Sequence, residues 1–127
     1  MGFNYNHVTL VGRLTKDPKL KEISDSFSKL SFQLAVSRSR QKSKHTDDTD
    51  FIPISILGYA APIGNQLLSK GTPVLIWGRI EVRRYEKDGD VRWMTEVIAN
   101  NFQILETLSD GKKEVMAELE ESVAAVK

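Results

Sequence analysis

The chain has 127 residues, 40% of them hydrophobic, and no cysteine: enough for one domain with an unaided core, but not for a disulfide framework or a thiolate metal site. Its opening, MGFNYNHVTL, lacks the basic start and apolar run of a signal peptide, and no apolar stretch approaches the ~20 residues of a membrane helix, so we expect a cytoplasmic protein with no membrane contact. The net charge of +1 divides into +4 over residues 1–113 (17 Lys and Arg, 13 Asp and Glu) and −3 over residues 114–127 (one Lys, four Glu), so the placement of the cations matters more than their sum.

HVTLVGRLTK, from His7 to Lys16, is β-branched and aliphatic with Gly12 inside it and a turn at KDP after it; it reads as a strand bulged or bent at the glycine. FSKLSFQLAVSR, from Phe27 to Arg38, puts Leu30, Phe32, Leu34 and Val36 on one parity and Ser31, Gln33 and Ala35 on the other, a second strand with one face to the core. In RSRQKSK, residues 38–44, Arg38, Arg40, Lys42 and Lys44 alternate with Ser39, Gln41 and Ser43. Extended, that segment lines four cations on one side, a track for phosphates; otherwise it is a solvated loop, partly neutralised by the following TDDTD. TDFIPISILG, residues 49–58, is a third strand that buries Ile52, Ile54 and Ile56 and turns Phe51 outward with Pro53, Ser55 and Leu57.

APIGNQLLSKG, residues 61–71, carries Ile63, Leu67 and Leu68 at helical spacing and reads as a short helix capped by Gly71. PVLIWGRIEVRRY, from Pro73 to Tyr85, is a fourth strand, KDGD an Asp-Gly hairpin turn, and VRWMTEVIANNFQIL, from Val91 to Leu105, a fifth. Arg79, Arg83 and Tyr85 share a parity, Arg84 has the other, and Arg92 lies across the turn, so cations and an aromatic interleave on a two-stranded ribbon. The all-β order, five strands with one helix between the third and fourth, matches a Greek-key barrel of the OB type over residues 1–108; another small barrel or an open α+β sheet also fits the pattern. Residues 109–127 form an acidic tail in which Val115, Leu119 and Val123 recur every four residues, either a short amphipathic helix or a frayed end.

NHVTLVGRLTKDP, TDFIPISILG and LLSKGTPVLIWGRIEVRRYEKDGDVRWMTEVIAN together resemble the bacterial single-stranded DNA-binding proteins, over roughly residues 6 to 106. The resemblance implies the OB fold, binding of single-stranded DNA, and a homo-oligomer, a homotetramer or a dimer, acting on the nucleoid. It implies that Phe51 and Tyr85 stack on bases, each contact contributing about 1–3 kcal/mol without demanding a sequence. Without it, Phe51 would as readily pack under a loop or in a subunit contact. Trp93 falls near a family aromatic and belongs either to the DNA face or to packing, and Arg13 joins the cations. Trp77 and His7 fall where family members meet in oligomers. Two stacking positions depart from the family: Arg40 stands where a tryptophan is usual and Leu57 where a phenylalanine is usual. Arginine can also stack, whereas leucine offers apolar contact alone. The acidic tip with a terminal aromatic that recruits replication and repair proteins has no counterpart in the final residues, which puts that recruitment in doubt.

No Walker loop, G-x-S-x-G or H-E-x-x-H occurs, and His7 and His45 lie in unrelated segments, so neither catalysis nor a cofactor is expected. Asp47, Asp48 and Asp50 lack the ordered ligand pattern of a metal loop. The expected function is non-catalytic binding and protection of single-stranded DNA in replication, recombination and repair. The alternative is a protein-interaction module on the same barrel, such as a primosome assembly factor with weak single-strand binding.

Overall fold

The computed structural model describes residues 2–38, 48–106 and 110–126. Strands β1 (Val8–Leu14), β2 (Lys19–Ser24), β3 (Phe27–Ser37), β4 (Thr49–Leu57), β5 (Pro73–Lys87) and β6 (Asp90–Ile104) are joined by helix α1 (Ala60–Leu67) after β4 and followed by helix α2 (Asp110–Val126). Hydrogen bonding runs β1-β5-β6-β4-β3-β2, and β1 also pairs with β3. Five strands therefore close into a ring, the OB-type barrel, and β2 lies outside it as the second arm of a hairpin with β3.

The alternation in the sequence becomes the two faces of this wall. Leu30, Phe32 and Leu34 of β3 meet Ile54 and Ile56 of β4 inside, joined by Leu14, Val74, Ile76, Val97 and Phe102, all buried. Strand β2 escapes the sequence pattern because every residue of KLKEIS is exposed. With no buried side, nothing forces its residues to alternate.

Helix α1 packs Ala61, Gly64 and Leu67 into the core and ends earlier than its spacing suggests. The chain turns extended at Leu68, which lets two consecutive leucines both reach the interior, and Gly71 belongs to a separate turn in which the Thr72 amide donates to the Ser69 carbonyl at 3.0 Å. Helix α2 buries Leu119 in the same core, with Val115 and Met116 half-buried against it. Asp88 and Gly89, both with positive φ, make the tight turn from β5 to β6.

Closure depends on β1 serving two neighbours. From Val8 to Arg13 it pairs with β5, and at Arg13 and Leu14 it pairs with β3. The approach leaves no room at Gly12, where a Cβ would lie 2.3 Å from the Ala35 carbonyl oxygen. Gly12→Ala should therefore destabilise the fold by about 2–3 kcal/mol, read as a lower urea midpoint with an unchanged slope.

Candidate nucleic-acid interface

One outward surface crosses all six strands. On β4 it carries Phe51, Pro53, Ser55 and Leu57, whose cross-strand partners on β3 are Ala35, Gln33, Ser31 and Lys29. Phe51 is 56% exposed, so the outward phenyl ring read from the alternation is present. The parallel register of β4 with β6 pairs Ile54 with Val97, which sets Phe51 level with Met94 on the same side. Further along β6, Arg92 stands opposite Tyr85 of β5, and Tyr85 is exposed. The two rings expected to stack thus share one side of the sheet.

Beneath them, Glu96 is only 3% exposed. It is satisfied there: the Ser55 hydroxyl donates to its Oε2 at 2.8 Å and Arg83 Nε approaches its Oε1 at 3.1 Å. A cleft of about 320 Å³ opens above this carboxylate. Its walls include Pro53 and Met94, and Lys16, Lys19 and Lys29 stand among its lining residues. An apolar wall with polar groups and a cationic rim suits a flat, hydrogen-bonding, anionic ligand.

The expected cations divide by what they already hold. Arg38 makes a two-point pair with Asp50 at 2.7 and 3.1 Å. The shared hydrogen bonds push its guanidinium pKa up and hold the Asp50 carboxyl below the usual carboxylate range. Arg79 and Arg83 both bond Glu81, at 3.3 and 2.7 Å. Arg13 donates to the Gly71 carbonyl at 2.9 Å, and Arg92 is exposed opposite Tyr85. Arg40, Lys42 and Lys44 lie outside the described residues.

Sequence reasoning passed over the lysines of the β2–β3 hairpin. Lys21 and Lys29 are direct cross-strand partners, and Lys19 stands opposite Ser31 on the same side. Like charges placed opposite one another cost stability, which an arriving polyanion would repay. The signal was present in K-x-K, residues 19–21, but without β2 as a strand there was no reason to set it beside Lys29.

Trp93 and Arg84 are cross-strand partners on the opposite side of the β5–β6 hairpin from Tyr85. Trp93 is 66% exposed there and shares that side with the exposed Ile80, Val82 and Val91. The register thus separates these two residues from the surface bearing Phe51. The Asn6 side chain continues the β1–β5 ladder past Val8, its Nδ2 donating to the Ile80 carbonyl at 2.7 Å and its Oδ1 accepting from the Ile80 amide at 2.9 Å. This fixes an arm in which Tyr5 stacks on His7. Trp77 is half-buried on the outward face of β5, opposite Thr9 of β1.

Residues 5–105 match the model of the Single-strand binding protein family. The chain is similar to Single-stranded DNA-binding protein 3 of Clostridium acetobutylicum, 44% identical over 103 residues that cover 80% of this chain and 71% of that one. Single-stranded DNA-binding protein 2 of the same organism is 41% identical over 86% of this chain and 83% of its own length. Single-stranded DNA-binding protein 1 of Staphylococcus aureus strain Mu50 is 40% identical over 80% of this chain and 65% of its own.

Because both rings stand clear of the core, Phe51→Ala and Tyr85→Ala should each change unfolding free energy by no more than about 0.5 kcal/mol. Chemical denaturation followed by far-UV circular dichroism checks this; a large loss for Phe51→Ala would mean that the ring is needed for packing.

Proposed function

The chain belongs to the Single-strand binding protein family, and we propose that it binds single-stranded DNA without catalysis, shielding exposed strands during replication, recombination and repair in the cytoplasm. The observation that carries this reading is the exposed pair Phe51 and Tyr85 on the side of the sheet that also bears the lysine-rimmed cleft. Bases stack on the rings, which tolerate any sequence because every base has a π-face. Phosphates meet Lys19, Lys21 and Lys29 on the hairpin and Arg92 beside Tyr85. Leu57, level with Lys29, adds apolar contact. Trp93 and Arg84, on the reverse of the hairpin, would touch DNA only where the strand passes round it.

The working form is a homo-oligomer, a tetramer or a dimer. Among the described residues β1 is paired along one edge only between Val8 and Gly12, and an unpaired edge is a template for a second strand. His7 leads into that edge; Trp77, opposite Thr9 on β5, lies one strand behind it and joins such a contact where a partner also covers the outward face of β5. The apolar reverse of the hairpin, with Ile80, Val82, Val91 and Trp93, favours a second reading, a barrel that chiefly engages other proteins such as replication and repair factors.

Titration of labelled oligo-dT and of a duplex of equal length, at two salt concentrations, separates the readings. Tight binding that rejects the duplex is expected, weakened by about 1–3 kcal/mol in Phe51→Ala or Tyr85→Ala. Weak binding lost at moderate salt would favour the protein-interaction reading. Replacing Lys21 and Lys29 together by Ser should lower the slope of log K against log salt by up to about 1.4; an unchanged slope would remove the hairpin from the phosphate path.

A further inference from the structure

Glu81 and Glu96 are direct cross-strand partners on the outward side of the β5–β6 hairpin. Two carboxylates so placed repel, and Arg83 reconciles them: its Nε lies 2.7 Å from Glu81 Oε1 and 3.1 Å from Glu96 Oε1. Arg79 closes on the other Glu81 oxygen at 3.3 Å. Two guanidiniums and two carboxylates leave the cluster with no net charge, although it lies between Tyr85 and the cleft that Glu96 floors. The carboxylates differ in kind. Glu96 is buried and tied to Ser55, whereas the Glu81 side chain is one-third exposed and, among the described residues, bonds only the two arginines.

We propose that Glu81 is an internal phosphate surrogate that limits the affinity of this surface for single-stranded DNA. Its carboxylate oxygens hold Arg83 Nε and one Arg79 Nη, two of the donors that a backbone phosphate would take. A phosphate reaching those arginines must displace Glu81 or accept its repulsion, and either way the free energy of the existing pairs is subtracted from binding. Glu96 Oε1, 3.1 Å from Arg83 Nε, remains as an ion partner when Glu81 lets go. This inference rests on the single-strand-binding reading and assigns one residue the setting of its strength and salt response.

The test measures anisotropy of labelled oligo-dT with the full chain, Glu81→Gln and Glu86→Gln across a range of salt. Glu86 is the control, since it removes the same charge from the same strand but stands 3.8 Å from Arg84 on the reverse side. Glu81→Gln should bind about three- to tenfold more tightly at low salt, as release of two exposed pairs allows. Its log K against log salt should be steeper by about 0.7, one more phosphate neutralised on a single strand. Glu86→Gln should match the parent. Parity of Glu81→Gln with the parent, or with a Glu86→Gln that has itself gained affinity, would overturn the proposal while leaving single-strand binding intact. Failure of the parent to bind oligo-dT would instead overturn the underlying reading and this inference with it. Thermal melts establish that each variant is folded, and Glu81→Thr, neutral and suited to a strand, supplies the same comparison should Glu81→Gln fail to fold.

Discussion

Closure of the wall by β1 is the constraint on which the rest of the molecule depends. A strand has two edges, and β1 gives one to β5 along most of its length and the other to β3 at Arg13 and Leu14. Only a residue without a side chain fits at Gly12, where β1 passes the Ala35 carbonyl. Once the ring is closed, each strand has an inside and an outside, and a shift of one residue would exchange them. The outward positions of Phe51 and Tyr85 follow from that registration.

The outward face is not a plain cationic surface. Arg79 and Arg83 are held by the Glu81 carboxylate, whereas Lys19 and Lys21 of β2, outside the ring, crowd beside Lys29 of β3. Counting Lys and Arg in the sequence weights these groups equally. Geometry does not: a phosphate meeting a paired guanidinium must displace its carboxylate or accept the repulsion, and an ammonium facing another ammonium gains from the first anion that arrives. The polar interior edge of this face, Ser55 and Glu96, is buried without an unsatisfied group because Arg83 and the serine hydroxyl complete it.

The β5–β6 hairpin is longer than the ring needs, and beyond the barrel both of its sides meet solvent. One side bears Tyr85 and Arg92 and is suited to a nucleic acid, while the other bears Trp93, Val82 and Val91 with Arg84 beside Glu86 and suits a protein surface. The same alternation that separates core from solvent inside the barrel separates two kinds of surface outside it.

The sequence by itself determined the barrel strands, the Asp-Gly turn, the outward ring at Phe51 and the buried isoleucines beside it, because alternation against a core leaves a period-two record in the residues. Its resemblance to a known family, which the comparisons bear out, supplied the expected ligand class. Strand β2, the early end of α1 and the sorting of the arginines were decided by tertiary structure alone. An exposed strand leaves no apolar record, Leu68 left the helix to reach a core formed by distant strands, and the pairs of Arg83 with Glu81 and Glu96 exist only because the hairpin's register sets those two carboxylates opposite one another. Local pattern records which side of a strand is buried; which charges meet is a property of the register between strands.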